Sequence, residues 1–260
     1  MTPLLLLDIG NTHTHVGLAR GQRWLRTTDL RTAHWRTGEA AVALRRFVGD
    51  APVQAAVLCS VVPSATRRVS RVVQQQWGCP PLVLNARTLR GLGVDYPKPD
   101  SIGPDRLANA VAARHRFGAP VVVVDFGTAV TFDVVNARGD YAGGIIAPGL
   151  AAMTDYLHEK TALLPRIRIR DTRAVIGRST EEAMLVGAVH GYRGMVRELL
   201  QELRRALRHR RLPVVATGGY ARLIARQLPE IEAVIPGLTL EGLRLVWEAH
   251  AAAAGRGPRP

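Results

Sequence analysis

Lysine is almost absent from this chain: Lys98 and Lys160 stand against 33 arginines. The net charge of +14 is therefore arginine charge, a bias that reads as codon composition before it reads as a binding surface. Cysteine is as scarce. Cys59 and Cys79 have neither metal nor redox spacing, so they read as reduced thiols of a cytoplasmic protein. Aromatic residues make up 5% of the chain, and none interleaves the densest basic run, "RRALRHRR" at residues 204–211. That run continues an amphipathic helical pattern and reads as its solvated end, without the stacking platforms of a nucleic-acid surface. Nucleic acid is thus not an expected partner. No apolar run nears the roughly 20 residues that span a bilayer. Residues 4–7 are too short for a signal-peptide core and follow no basic segment. No Gly-Lys pair exists, hence no P-loop, and "GLG" at residues 91–93 lacks the third glycine of a dinucleotide fingerprint.

What is present occurs twice. "LLLLDIGNTHTHVGL" (residues 4–18) and "VVVVDFGTAVTFDVV" (residues 121–135) align Asp8 with Asp125, Gly10 with Gly127 and Thr14 with Thr131, a common offset of 117 residues. A period of that length suits a duplicated domain rather than a solenoid. Each copy begins as a three-stranded meander and continues in alternating helices and strands. Helices are expected over "TGEAAVALRRFVGD", over "SATRRVSRVVQQQWG" with Ser64 as its cap, from the Gly103-Pro104 turn, and along "STEEAMLVGAVHGYRGMVRELLQELRRAL". The expected architecture is α/β, with one domain over residues 1–117, a second over 118–250, a flexible tail over 251–260, and a cleft where the halves meet.

A carboxylate at the end of a buried strand, beside a glycine turn, is costly unless something cationic neutralises it. The glycine lets backbone N–H groups approach an anion, and neighbouring threonine and asparagine side chains add donors. Carboxylate and donors together suit a cation and phosphates. Asp105 reads as a general base: it follows a Gly-Pro turn and opens a helix whose N-terminus is expected to keep it ionised.

The paired turns resemble those of the actin/sugar-kinase/Hsp70 superfamily, in which two ribonuclease-H-like domains clasp ATP. Within it the chain resembles the type III pantothenate kinases almost end to end. The resemblance rests on "DIGNT" (8–12), "GPDR" (103–106), "DFGTAVTFD" (125–133), "GGIIAPG" (143–149), "GRSTEEAMLVG" (177–187) and "TGG" (217–219). It implies ATP-dependent phosphorylation of pantothenate, the first step of coenzyme A synthesis. Asp105 is then the catalytic base. Asp8, Ile9, Gly10, Asn11, Thr12, His13, Thr14, His15 and Thr128 bind ATP. Tyr96, Gly103, Pro104, Asp105, Arg106 and Thr180 meet the substrate, Arg106 through its carboxylate. Asp125 holds a monovalent cation, potassium or ammonium, beside Mg-ATP. The resemblance further implies a homodimer, with "AMLVGAVHGYRGMV" apolar enough for an interface helix. No third ligand accompanies His13 and His15, so zinc is not expected. Two other readings stand beside this one: a related small-molecule kinase, and a non-catalytic homologue acting as a transcriptional accessory factor.

Overall fold

A computed structural model describes residues 2–255. Its contacts divide the chain into two units. The first takes in the chain up to Arg116, Gly139–Tyr141 and the chain from Gly237 onward; the second is Phe117–Arg138 and Ala142–Pro236.

The first unit is built on β1 (Leu4–Ile9), β2 (His13–Arg20), β3 (Arg23–Arg31), β4 (Ala55–Ser60) and β5 (Leu82–Val83), in the order β3-β2-β1-β4-β5. β1 runs antiparallel to β2 and parallel to β4. Its central place explains its unbroken apolar run, since a strand covered on both faces has no polar side to show. Leu5, Leu7 and Ile9 point to one face, among Leu44 and Val48 of α1 (Glu39–Val48) and Val69 and Val73 of α2 (Pro63–Trp77). α2 starts one residue before the expected cap. Pro63 opens it, Val62 takes the cap position without a side-chain bond, and Ser64 is already helical; proline suits that first position because its missing N–H would be unbonded there anyway.

The second unit repeats the plan with β7 (Val121–Phe126), β8 (Ala129–Val135), β9 (Asp140–Pro148, whose first two residues fall in the first unit), β10 (Val214–Thr217) and β11 (Ala233–Val234); with the short strand β6 (Gly93–Val94) parallel to the start of β9, the sheet runs β6-β9-β8-β7-β10-β11. β7, the central strand, is antiparallel to β8 and parallel to β10. Apart from the added β6, one five-strand order, with the first strand in the middle, describes both sheets. That is the ribonuclease-H-like plan, and its repetition accounts for the 117-residue offset in the sequence.

The long helix expected after residue 178 forms from Thr180 to Ala206, as α5 (Thr180–Val186) and α6 (Tyr192–Ala206) joined through a π-helical turn at Gly187–Gly191. Ala188, Tyr192 and Val196 from this stretch lie in the second unit's own core, so its apolar side does not form a free interface face. The last helix, α8 (Leu238–Ala253), packs on β1, β2 and β4 and so belongs to the first unit, not to a second domain running to residue 250. Gly242 makes this possible, for a Cβ there would stand 1.9 Å from the Ala108 carbonyl oxygen on α3 (Pro104–Phe117). The helix also continues past residue 251, where a flexible tail was expected; residues 256–260 lie outside the described residues.

Candidate active site

β1 ends in Asp8 and Ile9 and turns at Gly10, whose N–H donates to the His13 carbonyl at 2.9 Å. The turn is braced from behind. Thr32 Oγ1 donates to the Gly10 carbonyl at 2.7 Å and lies 3.1 Å from Thr14 Oγ1, while Trp35 Nε1 donates to Thr14 Oγ1 at 2.9 Å. Ile9 and Thr14, both expected at ATP, therefore point their side chains into the protein, and the Thr14 hydroxyl supports the loop. His15 lies 2.6 Å from Asp29 on β3. Asn11, Thr12 and His13 are exposed.

Beside this turn the fold gathers two carboxylates and a thiol. Cys59, from the neighbouring strand β4, donates its S–H to Asp8 Oδ1 at 3.3 Å. Burial, and next the Asp105 carboxylate, push Asp8 from 3.8 up to about 6, while His15 and the Cys59 thiol pull the other way. Burial, reinforced by the two carboxylates, likewise pushes the Cys59 thiol well up, so it remains a donor. Asp105 sits in the first turn of α3. Its Oδ1 accepts the Arg106 backbone N–H at 2.9 Å. Gly103 makes room for that fold-back, since a Cβ there would stand 2.5 Å from the same oxygen. Burial raises Asp105 above the ordinary aspartate range despite the Arg106 N–H and charge. Burial thus opposes the ionisation that the helix start and the Arg106 charge favour, since a carboxyl withdrawn from water loses hydration.

Asp8 gives a direct prediction. Its native carboxyl holds a proton more tightly than the unfolded chain does. The resulting stability is present below about pH 4 and lost as pH rises through about 6. At pH 7.5 the buried charge is a liability on the order of 2 kcal/mol. Asp8→Asn is expected to raise the melting temperature of ligand-free protein at pH 7.5, with the gain vanishing near pH 4.5. Thermal scans across that range check it; equal gains at both ends would show that the charge is not the cause.

Arg106 turns toward an aromatic ring, Tyr141, that the sequence did not single out. Its Cζ lies 5.8 Å from the ring centroid of Tyr141, and Tyr96 meets Tyr141 edge-on at 6.2 Å and 71°. Tyr141 is fully buried; Tyr96 is exposed.

In the second unit Asp125 and Phe126 end β7, and Gly127 closes the turn with its N–H on the Ala129 carbonyl at 3.1 Å. Two glycines pack against this turn so tightly that no side chain fits. A Cβ on Gly149 would stand 2.3 Å from the Thr128 carbonyl oxygen. One on Gly218, where φ is +92°, would stand 2.5 Å from Asp125 Oδ1 and 2.7 Å from the Phe126 nitrogen. "GGIIAPG" and "TGG" thus exist in part to reach this turn, a purpose spacing alone did not reveal. Thr128 is exposed. Thr180 is the exposed first residue of α5, whose cap is Ser179, accepting from the Glu182 N–H at 3.2 Å. A cavity of about 290 Å³ lined by Arg168, Arg170, Ser179 and Glu182 lies beside it. Among the described residues no three His, Cys, Asp or Glu side chains converge to hold a metal.

The sequence profile of the family described as type III pantothenate kinase matches residues 4–202. Type III pantothenate kinases from Methylacidiphilum infernorum and Akkermansia muciniphila are 42% and 46% identical, covering 94% and 93% of this chain and 88% and 96% of their own. Among solved structures, a conserved candidate Baf family transcriptional activator from Campylobacter jejuni superposes with a TM-score of 0.61 at 17% identity, covering 95% of this chain and 99% of its own. A ROK family glucokinase from Streptomyces griseus, in complex with glucose and AMPPNP, gives 0.51 at 16%, covering 94% and 98%. The structural likenesses carry the fold, and the sequence relatives carry the family: this chain belongs to the type III pantothenate kinases.

Proposed function

We propose that this protein transfers the γ-phosphoryl group of ATP to the primary hydroxyl of pantothenate, giving 4′-phosphopantothenate and ADP, the first step of coenzyme A biosynthesis. The observation that carries the reading is Asp105: a half-buried carboxylate, raised in pKa, beside the Asp8 turn and next in sequence to Arg106. A base works best when its pKa approaches the working pH, and burial moves Asp105 that way. Asp105 takes the hydroxyl proton as the oxygen bonds to the γ-phosphorus and the bond to the bridging oxygen of ADP breaks. The exposed Asn11–His13 turn meets the phosphates, and the family likeness assigns Thr128 to ATP as well.

Asp8, buried and raised by a second carboxylate, fits a magnesium ion accompanying ATP, which would neutralise charge developing on the phosphates. Asp125 fits a monovalent cation, potassium or ammonium, by its place at a strand end against the Gly218 turn. Arg106 and Tyr96 receive the pantothenate carboxylate and chain, and Thr180 completes the substrate contacts. The enzyme works in the cytoplasm, where Cys59 and Cys79, both free, stay reduced. It works as a homodimer, a reading supported by the exposed apolar side chains Ile146, Leu163, Val175 and Ile176 on the second unit. No described helix is long and apolar enough to cross a membrane.

Incubation of the purified protein with ATP, magnesium, potassium and pantothenate is expected to give phosphopantothenate, detected by mass and by ADP release. No product would overturn the reading. Arg106→Ala is expected to raise the KM for pantothenate about 10–100-fold, the worth of a charge-assisted bond, with the KM for ATP little changed. Panthenol, which lacks the carboxylate, should show little further loss in the variant. Equal damage to both KM values would assign Arg106 to the nucleotide or the fold.

A further inference from the structure

Tyr141 lies outside every motif that led to the site, yet three separate features of the first unit meet on it. Its backbone pairs with the short strand β6 (Gly93–Val94): Val94 is its partner in register, and the Asp95 N–H donates to the Tyr141 carbonyl at 2.9 Å. Gly93 leaves space that the Asp140 carboxylate fills, since a Cβ there would run into its Oδ1. Tyr96, two residues beyond β6, is thereby set beside the Tyr141 ring, which it meets edge-on. The Arg106 guanidinium stands over the same ring, its Cζ 5.8 Å from the centroid, within the range of a cation–π contact.

The two side chains assigned to pantothenate thus come from different elements, the β6 loop and the start of α3, and share one buried ring as a common wall. An aliphatic side chain could fill that space, but only an aromatic one offers a negative face to a guanidinium and an edge-on partner to a second ring. A flexible arginine held this way loses less rotamer freedom when a carboxylate arrives. We infer that Tyr141 is a positioning residue for the substrate carboxylate, holding Arg106 and Tyr96 in place without itself touching pantothenate. The inference rests on the pantothenate kinase reading above.

The test compares Tyr141→Leu, Tyr141→Phe and the wild type in the full-length protein, alone and combined with Arg106→Ala. Tyr141→Leu is expected to raise the KM for pantothenate about 5–30-fold, with kcat and the KM for ATP within about twofold. Tyr141→Phe keeps the ring and should restore the KM to within about twofold of wild type. In the Arg106→Ala background, Tyr141→Leu should add less than about threefold, since the group it positions is gone. Calorimetric titration with pantothenate should give the same pattern in Kd. If Tyr141→Leu does not fold, Tyr141→Met carries the same comparison. Fully additive effects, or a fall in kcat and in the use of both substrates alike, would make Tyr141 a packing residue and overturn the inference. A wild type that neither binds nor phosphorylates pantothenate would overturn the functional reading instead, so the two failures are distinct.

Discussion

Asp105→Asn is expected to lower kcat by about 10²–10⁴-fold while leaving ATP binding and folding intact. The amide keeps an oxygen for the Arg106 N–H, which Asp105 Oδ1 now accepts at 2.9 Å, and the space over Gly103 is unchanged. What it loses is the capacity to take a proton from the attacking hydroxyl. The two effects separate cleanly. Folding is expected to be unharmed at neutral pH, because a carboxyl whose pKa burial has raised is relieved by neutralisation. Nucleotide affinity should hold or improve, since the variant removes a negative charge near the Asp8 turn. Steady-state rates with a coupled ADP assay, calorimetric ATP binding and a melting curve check the three expectations. More than half of wild-type turnover would remove Asp105 from proton transfer.

The second large effect concerns Asp125. Activity is expected in potassium or ammonium and to fall roughly 10-fold or more in sodium alone. Asp125→Asn should flatten this dependence, because the amide offers an oxygen but no charge to balance the ion. Asp8→Asn serves as the contrast: it should weaken the use of Mg-ATP while whatever activity remains still requires potassium. The aspartates occupy equivalent ends of equivalent central strands, so different cation phenotypes separate them where their sequences do not. Replacing potassium with sodium across a magnesium titration, for wild type and both variants, measures it. Equal rates in sodium and potassium would make Asp125 a second support for magnesium and phosphate only.

The parts of this molecule that were legible in its sequence are those written in neighbouring residues. An apolar run, a carboxylate and a glycine follow one another because a buried central strand, its charged end and its turn are consecutive along the backbone. The same holds for the Gly-Pro-Asp-Arg helix start. What escaped depends on residues brought together from afar. Thr14 looked like a ligand donor until Thr32 and Trp35 were seen to use its hydroxyl. The helix start at Asp105 was legible, but not the burial that raises its pKa. Gly149 and Gly218 could have been glycines of any tight turn, and only their approach to residues 125–128 shows what they must not obstruct. Tyr141 carries no local signal, because its meaning lies in Arg106 and Tyr96. α8 reads as an ordinary helix, and its membership of the first unit is a fact of packing alone.

That membership sets an order of events at the ribosome. Domains commonly fold from the N-terminus as they emerge, but β1 and β4 wait for a cover synthesised after the entire second unit. At about 5–20 residues per second, the roughly 120 residues between α3 and α8 take on the order of 6–24 s to appear. Through that interval Gly17 lacks Leu240 and Ala108 lacks Gly242, so one side of the leading sheet stays open. The second unit needs no residue beyond Pro236 and can close first. The half made first is therefore finished last, and the nascent chain offers chaperones its N-terminal sheet, the one that bears Asp8.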